Sequence, residues 1–106
     1  MDHAVHVIDG LPENPLEAAA AYFADYHMES LALLSHEDTV SLVIVLESAS
    51  YDHDGWRRSL AGDLARRYAP KRCNLVGTDD PEATKALLAF LESARGVTGQ
   101  YLAGHE

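Results

Sequence analysis

The sequence predicts an α/β fold: a four-stranded, all-parallel sheet in βαβαβαβ order. Three observations carry this expectation. Apolar runs of strand length alternate with helix-length segments whose apolar residues recur every three or four positions. The clearest run, Leu42-Val43-Ile44-Val45-Leu46, is apolar at every position, as a strand covered on both faces reads. Two of the helix-length segments open on Asn14-Pro15 and Asp80-Pro81, where an N-capping side chain precedes a proline whose missing N–H costs nothing.

In order, Ala4 to Asp9 reads as the first strand, followed by a loop at Gly10, Pro12 and Asn14. Leu16 to Leu34 reads as one long helix. Leu16, Ala19, Ala20, Phe23, His27, Leu31 and Leu34 form its inner stripe, and Glu17, Asp25 and Glu29 lie outside. Val40 to Leu46 is the second strand, and Ser48 to Asp54 a polar loop. Asp54 to Ala69 is the second helix, with Trp56, Leu60, Leu64 and Tyr68 on one stripe and Pro70 closing it. Cys73 to Val76 is the third strand. The third helix runs through Ala94, turning Ala83, Leu87, Phe90 and Leu91 or Ala94 inward, and Gln100 to Ala103 is the last strand.

The 106 residues fit a single domain over 1–106. With 47% hydrophobic residues and a net charge of −9, the chain reads as an acidic globular domain and not a disordered acidic tail. That charge argues against nucleic-acid binding, which depends on neutralising phosphates. One cysteine, Cys73, allows no intrachain disulfide and suits a reducing cytoplasm. The N-terminus has neither the basic nor the apolar region of a secretory signal, and no apolar run has membrane-spanning length. We therefore expect a cytoplasmic protein without membrane or nucleic-acid partners. The charge is uneven: residues 1–56 hold eleven acids and no Lys or Arg, whereas residues 57–106 hold six acids and all eight Lys and Arg. A solvated acidic face beside a few capping arginines explains this, as does pairing between subunits.

Right-handed crossovers between strands in simple sequential order place every connecting helix on one face of the sheet. The second face of Leu42–Leu46 then needs cover, from an unusual third crossover or from a second chain. This favours a homodimer.

Two segments carry a family resemblance. Arg58-Ser59-Leu60-Ala61-Gly62-Asp63-Leu64-Ala65, with Arg72-Cys73-Asn74-Leu75-Val76 after it, resembles the R-S-L-A-x-E-L-A and R-V-N-x-V segments of the short-chain dehydrogenase/reductase family. Phe90-Leu91 followed by Val97-Thr98-Gly99-Gln100-Tyr101-Leu102 resembles that family's closing F-L and V-T-G-Q-x-L. The matches fall in the right order. They imply a truncated, Rossmann-like domain equivalent to the C-terminal half of that fold. In the family, the two helices that match Leu16–Leu34 and Asp54–Ala69 build a four-helix dimer interface. The resemblance thus points to Phe23, His27, Leu31, Trp56, Leu60 and Leu64 as dimer-interface candidates. A full-length dehydrogenase of the same family is a further candidate partner.

The departures matter as much. No Gly-x-x-x-Gly-x-Gly run is present to cradle a dinucleotide pyrophosphate. The family's Asn-Ala-Gly turn is reduced to Asp9-Gly10. Leu46 and Ser50 stand where its catalytic Tyr and Lys belong, and Ser48 takes the place of its serine without a Tyr to work beside. The expectation is a non-catalytic domain, with no cofactor, that acts by self-association or by binding a partner protein.

The alternative is a small-ligand binder. Parallel sheets bind ligands at the C-terminal ends of their strands, which here points to a cleft near Gly10, Ser48, Tyr51 and His53. The same edge carries Asp9, Glu47, Asp52, Asp54, Asp79 and Asp80, and would repel phosphates and carboxylates. Helix capping accounts for Asp54, Asp79 or Asp80. Asp52-His53-Asp54 is a weak metal candidate, because adjacent loop residues seldom all point inward. Ser48 or Ser50 with His53 and Asp52 lies too close in sequence for a hydrolytic triad. His27 reads as a core-edge or interface histidine, Trp56 and Tyr68 as packing anchors, and Cys73 as a small inert hydrophobe. Arg57, Arg58, Arg66 and Arg67 read as solvated or interface arginines.

Overall fold

The computed structural model describes residues 1–103. Strand β1 (Asp2–Val7) leads to helices α1 (Pro15–Asp25) and α2 (His27–Ser35) and then to strand β2 (Thr39–Leu46). Helix α3 (Asp54–Tyr68), strand β3 (Arg72–Gly77), helix α4 (Pro81–Ser93) and strand β4 (Tyr101–Ala103) complete the order. The strands form one parallel sheet, β1-β2-β3-β4. The expected α/β, Rossmann-like architecture is present, on a four-stranded all-parallel sheet.

Local chemistry sets the helix ends. Asn14 Oδ1 accepts the Glu17 N–H at 3.0 Å, and Asp80 Oδ1 accepts that of Glu82 at 3.1 Å. Basic side chains at the start of β3 serve the opposite ends. Lys71 Nζ donates to the carbonyls of Leu34 and His36, and Arg72 Nη1 donates to those of Leu91 and Ala94 at 2.7 and 3.0 Å. The Leu34 and Leu91 carbonyls have no partner within their own helices, so the lysine and arginine supply what the helix lacks.

Helix α3 departs from the capping expectation. The loop from Ser48 to Asp54 contains a 3-10 turn at Tyr51–His53 that feeds straight into the helix. His53 is already helical there, so Asp54 is not a cap. Asp54 instead sits in the first turn and pairs with Arg58 at 3.6 Å.

The expected long first helix is broken at Tyr26, whose backbone (φ −126°, ψ −20°) leaves the helical range. The buried residues are Ala18, Tyr22, Ser30 and Leu34, spaced in multiples of four. In an unbroken helix of 3.6 residues per turn, spacing by four drifts about 40° per step. The break resets that phase, so both halves face the sheet. It also corrects part of the inner stripe read from spacing: Leu34 is buried and Leu31 packs on the core as expected, but Tyr22 is fully buried while Phe23 is 50% and Leu16 83% exposed. In α4, likewise, Leu91 is buried but Phe90 is half exposed, and Leu88 packs inward in its place.

The register sorts side chains by face. Leu42, Ile44, Leu46, Cys73 and Leu75 meet Tyr22 and Leu34 from α1 and α2 and Leu60, Ala61 and Leu64 from α3. Val43, Val45 and Val76 meet Leu87, Leu88 and Leu91 from α4 on the other face. With strands in sequential order, placing α4 on that face makes its crossover opposite in hand to the two before it. This accounts for Leu42–Leu46 being apolar throughout. The cover is partial, because Val5 and Val7 of β1 remain 43% and 66% exposed on the α4 side.

Candidate functional site

A cleft of about 490 Å³ opens at the C-terminal ends of β1, β2 and β3. Its walls come from Leu11 to Glu13 after β1, Glu47 to Ser50 after β2, His53 and Arg57 from the turn and first turns of α3, and Asp79 after β3. Gly10 adopts a φ of 81°, open to glycine at little cost. Its N–H donates to Glu47 Oε1 at 2.9 Å and ties the exits of β1 and β2 together. The Ser48 N–H donates to Asp79 Oδ1 at 2.9 Å and does the same for β2 and β3. Two of the rim acids thus organise loop backbone.

Of the four expected cleft residues, Ser48 and His53 line it. Gly10 acts through Glu47 from the rim, and Tyr51 points away, 84% exposed. His53 is 3% exposed and fully engaged. Its Nε2 donates to the Glu13 carbonyl at 2.8 Å, and its Nδ1 accepts the Trp56 indole N–H at 3.1 Å. A carbonyl only accepts and an indole N–H only donates, so these partners fix the tautomer. No lone pair remains for a metal, and neither nitrogen meets Ser48, Ser50 or Asp52. Among the described residues, no three His, Cys, Asp or Glu side chains converge on a metal-sized space.

Arg57 corrects the expectation of a solvated or interface residue. It is 2% exposed. Its Nη1 donates to the Glu47 carbonyl and to the Tyr101 hydroxyl, each at 2.9 Å. The guanidinium carbon lies 5.6 Å from the Trp56 ring centre and 5.5 Å from that of Tyr101. The absence of a side chain at Gly77 makes room for it: a Cβ there would stand 2.7 Å from Nη1 and collide with the Tyr101 hydroxyl. Sequence spacing gave no sign of this, because Arg57 sits beside the exposed Arg58 and the pair reads as a surface run.

A second buried polar group also escaped the sequence reading. His6 Nδ1 lies 2.8 Å from Ser30 Oγ, and His6 Nε2 lies 3.5 Å from Glu29 Oε1. The order resembles a hydrolytic triad. Ser30 is completely buried in the core, though, so no substrate reaches it. Nearby, burial pushes the Tyr22 hydroxyl up to about 12, and burial likewise pushes the Cys73 thiol up to about 12.

The interface candidates divide. Leu60 and Leu64 are 3% exposed and belong to the chain's own core, so they are closed to a second copy. Phe23, His27 and Trp56 gather with Tyr22 along the seam between α1–α2 and α3. Phe23 and His27 meet edge to face at 4.8 Å, and Tyr22 and Trp56 lie tilted against each other at 6.1 Å. Leu31 is half-buried beside them in α2. Leu16 and Met28, both strongly exposed, extend the apolar surface of these helices.

Asn74 and Thr98 join the two segments that carry the family resemblance. The Cys73 N–H donates to Thr98 Oγ1 at 3.0 Å, and Asn74 bonds to both Val97 and Gln100. A family model described as "SDR-like: Short chain dehydrogenase-like protein" matches residues 6–104. No curated protein and no solved structure gives a match.

Proposed function

The chain belongs to the SDR-like family of short chain dehydrogenase-like proteins, and we propose that it acts by association, as a homodimer, and not by the dehydrogenase reaction. In this reading the chain corresponds to the C-terminal half of the dehydrogenase fold and works in the cytoplasm. The observation that carries the reading is Phe23. It is half exposed at the edge of an aromatic cluster, against Tyr22 and His27, on the first of the two helical segments expected to build a dimer interface. A second copy related by a two-fold axis would bury that ring in a self-complementary contact.

Charge supports the same geometry. Glu17, Asp25 and Glu29 lie on α1 and α2, and Arg58, Arg66 and Arg67 on α3. Arg58 and Arg66 pair within their own helix, which leaves Arg67, stacked on Tyr68 at 5.5 Å, to meet an acid across the axis. Such rim pairs steer association more than they strengthen it. A full-length dehydrogenase of the same family offers a comparable helical face and is the alternative partner.

A nicotinamide dinucleotide does not fit this cleft. Glu13, Glu47 and Asp79 line the cleft and would repel a pyrophosphate, and no Gly-rich run presents backbone N–H groups to it.

Sedimentation velocity tests the reading. The wild type sediments as a dimer at tens of micromolar and Phe23→Glu as a folded monomer. A monomeric wild type overturns it. Conversion by Val7→Glu but not by Phe23→Glu moves the contact to the open sheet face.

A further inference from the structure

The cleft at the strand ends holds a buried positive charge that the chain itself does not neutralise. Among the described residues, Arg57 is the one Lys or Arg side chain in the cleft lining. Glu13, Glu47 and Asp79 line the same space, yet none comes within ion-pair distance of it among the described residues. Glu47 and Asp79 turn oxygens toward the N–H groups of Gly10 and Ser48 instead. Both hydrogen bonds from the guanidinium leave from Nη1. Nε is enclosed and has no partner. Burying a charge without an opposite charge is costly, and with Nη1 committed and Nε enclosed, Nη2 is the group left to donate a charge-assisted hydrogen bond to a carboxylate.

The side chain is also held in place. Nη1 is anchored by two acceptors, Trp56 and Tyr101 flank the guanidinium plane, and Gly77 leaves the space it fills. A group fixed before binding loses little entropy when a ligand arrives.

The three rim acids define the rest of the ligand. A free phosphate would answer the arginine but meet three carboxylates. A bare amine would answer the acids and leave the arginine unpaired. Only a molecule carrying both signs satisfies both. We propose that this cleft binds a small zwitterion, an amino acid whose carboxylate pairs with Arg57 and whose protonated amine faces Glu47 and Asp79. The hydroxyls of Ser48 and Ser50 border the same space and offer neutral donors to the ligand. This site opens at the strand ends, shares Trp56 with the helical seam and does not depend on the association reading.

The test is isothermal calorimetry with the free L-amino acids, each taken singly. Every binder is compared with the amine lacking its carboxylate and with the acid lacking its amine, and inorganic phosphate is run beside them. At least one amino acid is expected to bind, with each half-molecule weaker by about tenfold or more, the worth of one charge-assisted hydrogen bond. Arg57→Gln is expected to remove binding. Because that variant disturbs a buried residue, Glu47→Gln provides the second reading. Its side-chain oxygen still accepts the Gly10 N–H, but its negative charge is gone. It is expected to weaken the amino acid about tenfold while leaving the deaminated acid bound at least as well as before. No binding by any amino acid at millimolar concentration overturns the proposal. So does phosphate binding as tightly as the best amino acid, or a Glu47→Gln protein that binds like the wild type.

Discussion

Asn74 holds Gln100 in place: its side-chain oxygen accepts the Gln100 N–H at 3.0 Å, while its NH2 donates to the Val97 carbonyl at 3.0 Å. Asn74 is 2% exposed on the α4 face of β3, otherwise an apolar surface. The one side chain satisfies both ends of the turn that launches β4. Asn74→Ala leaves those two backbone groups without a partner and is expected to cost about 2 kcal/mol or more. Urea denaturation measures the loss. Amide exchange should quicken first in Tyr101 to Ala103, and a uniform change across the sheet would contradict this role.

Two glycines should respond in opposite directions to the same substitution. A methyl group at Gly77 drives into Arg57 and Tyr101, whereas at Gly55, in the first turns of α3, it meets nothing within 4 Å. Gly77→Ala is expected to destabilise by about 1–3 kcal/mol through overpacking. Gly55→Ala is expected to stabilise by about 0.5–1 kcal/mol through helix propensity. Denaturation midpoints of the two variants give the comparison.

His53 works as a clamp between the Glu13 carbonyl and the Trp56 indole. His53→Ala orphans both and is expected to lower stability by about 1–3 kcal/mol. Trp56 fluorescence should shift as its N–H is released. Zinc titration of the wild type should leave that fluorescence unchanged, since both imidazole nitrogens are committed.

Cys73 gives the chain an alkaline limit. Burial raises its thiol from the ordinary 9.0 to about 12. Between those values the unfolded chain has released a proton that the folded chain retains. Stability present below pH 9 is therefore lost as pH rises toward 12. The native thiol should also react slowly with an alkylating reagent at pH 8 and at an ordinary rate in urea.

His27 titrates in the opposite sense. Desolvation first, and then the positive charge of Arg67, hold its imidazole below the ordinary 6.5. The unfolded chain binds its proton before the folded chain does, so acidification through this window works against the fold. Arg67→Ala is expected to move the His27 midpoint upward, as read from its ring proton shifts in NMR.

Much of the architecture is written in local pattern. The unbroken apolar run of Leu42–Leu46 announces a strand covered on both faces, because period and polarity are properties of neighbouring residues. The caps at Asn14 and Asp80 are legible for the same reason: an N-cap bonds two or three residues ahead. The two segments that resemble the dehydrogenase family prove to be bonded to each other through Asn74 and Thr98.

Phase and long-range pairing are not local. The exposure of Phe23 and burial of Tyr22 follow from a break at Tyr26 that rotates one helical half against the other, and the apolar spacing fits either phase. The cover that α4 gives the second sheet face depends on the hand of one crossover, which the order of elements leaves open. Arg57 is separated by forty-four residues from Tyr101, its hydroxyl partner, and nothing in the run Trp56-Arg57-Arg58 marks one arginine as enclosed. The alternation of strands and helices and two of the caps follow from the order of residues alone, since each depends on groups a few positions apart. The tertiary structure alone decided which faces are bare and which charge is buried, since both depend on groups brought together only when the sheet closes.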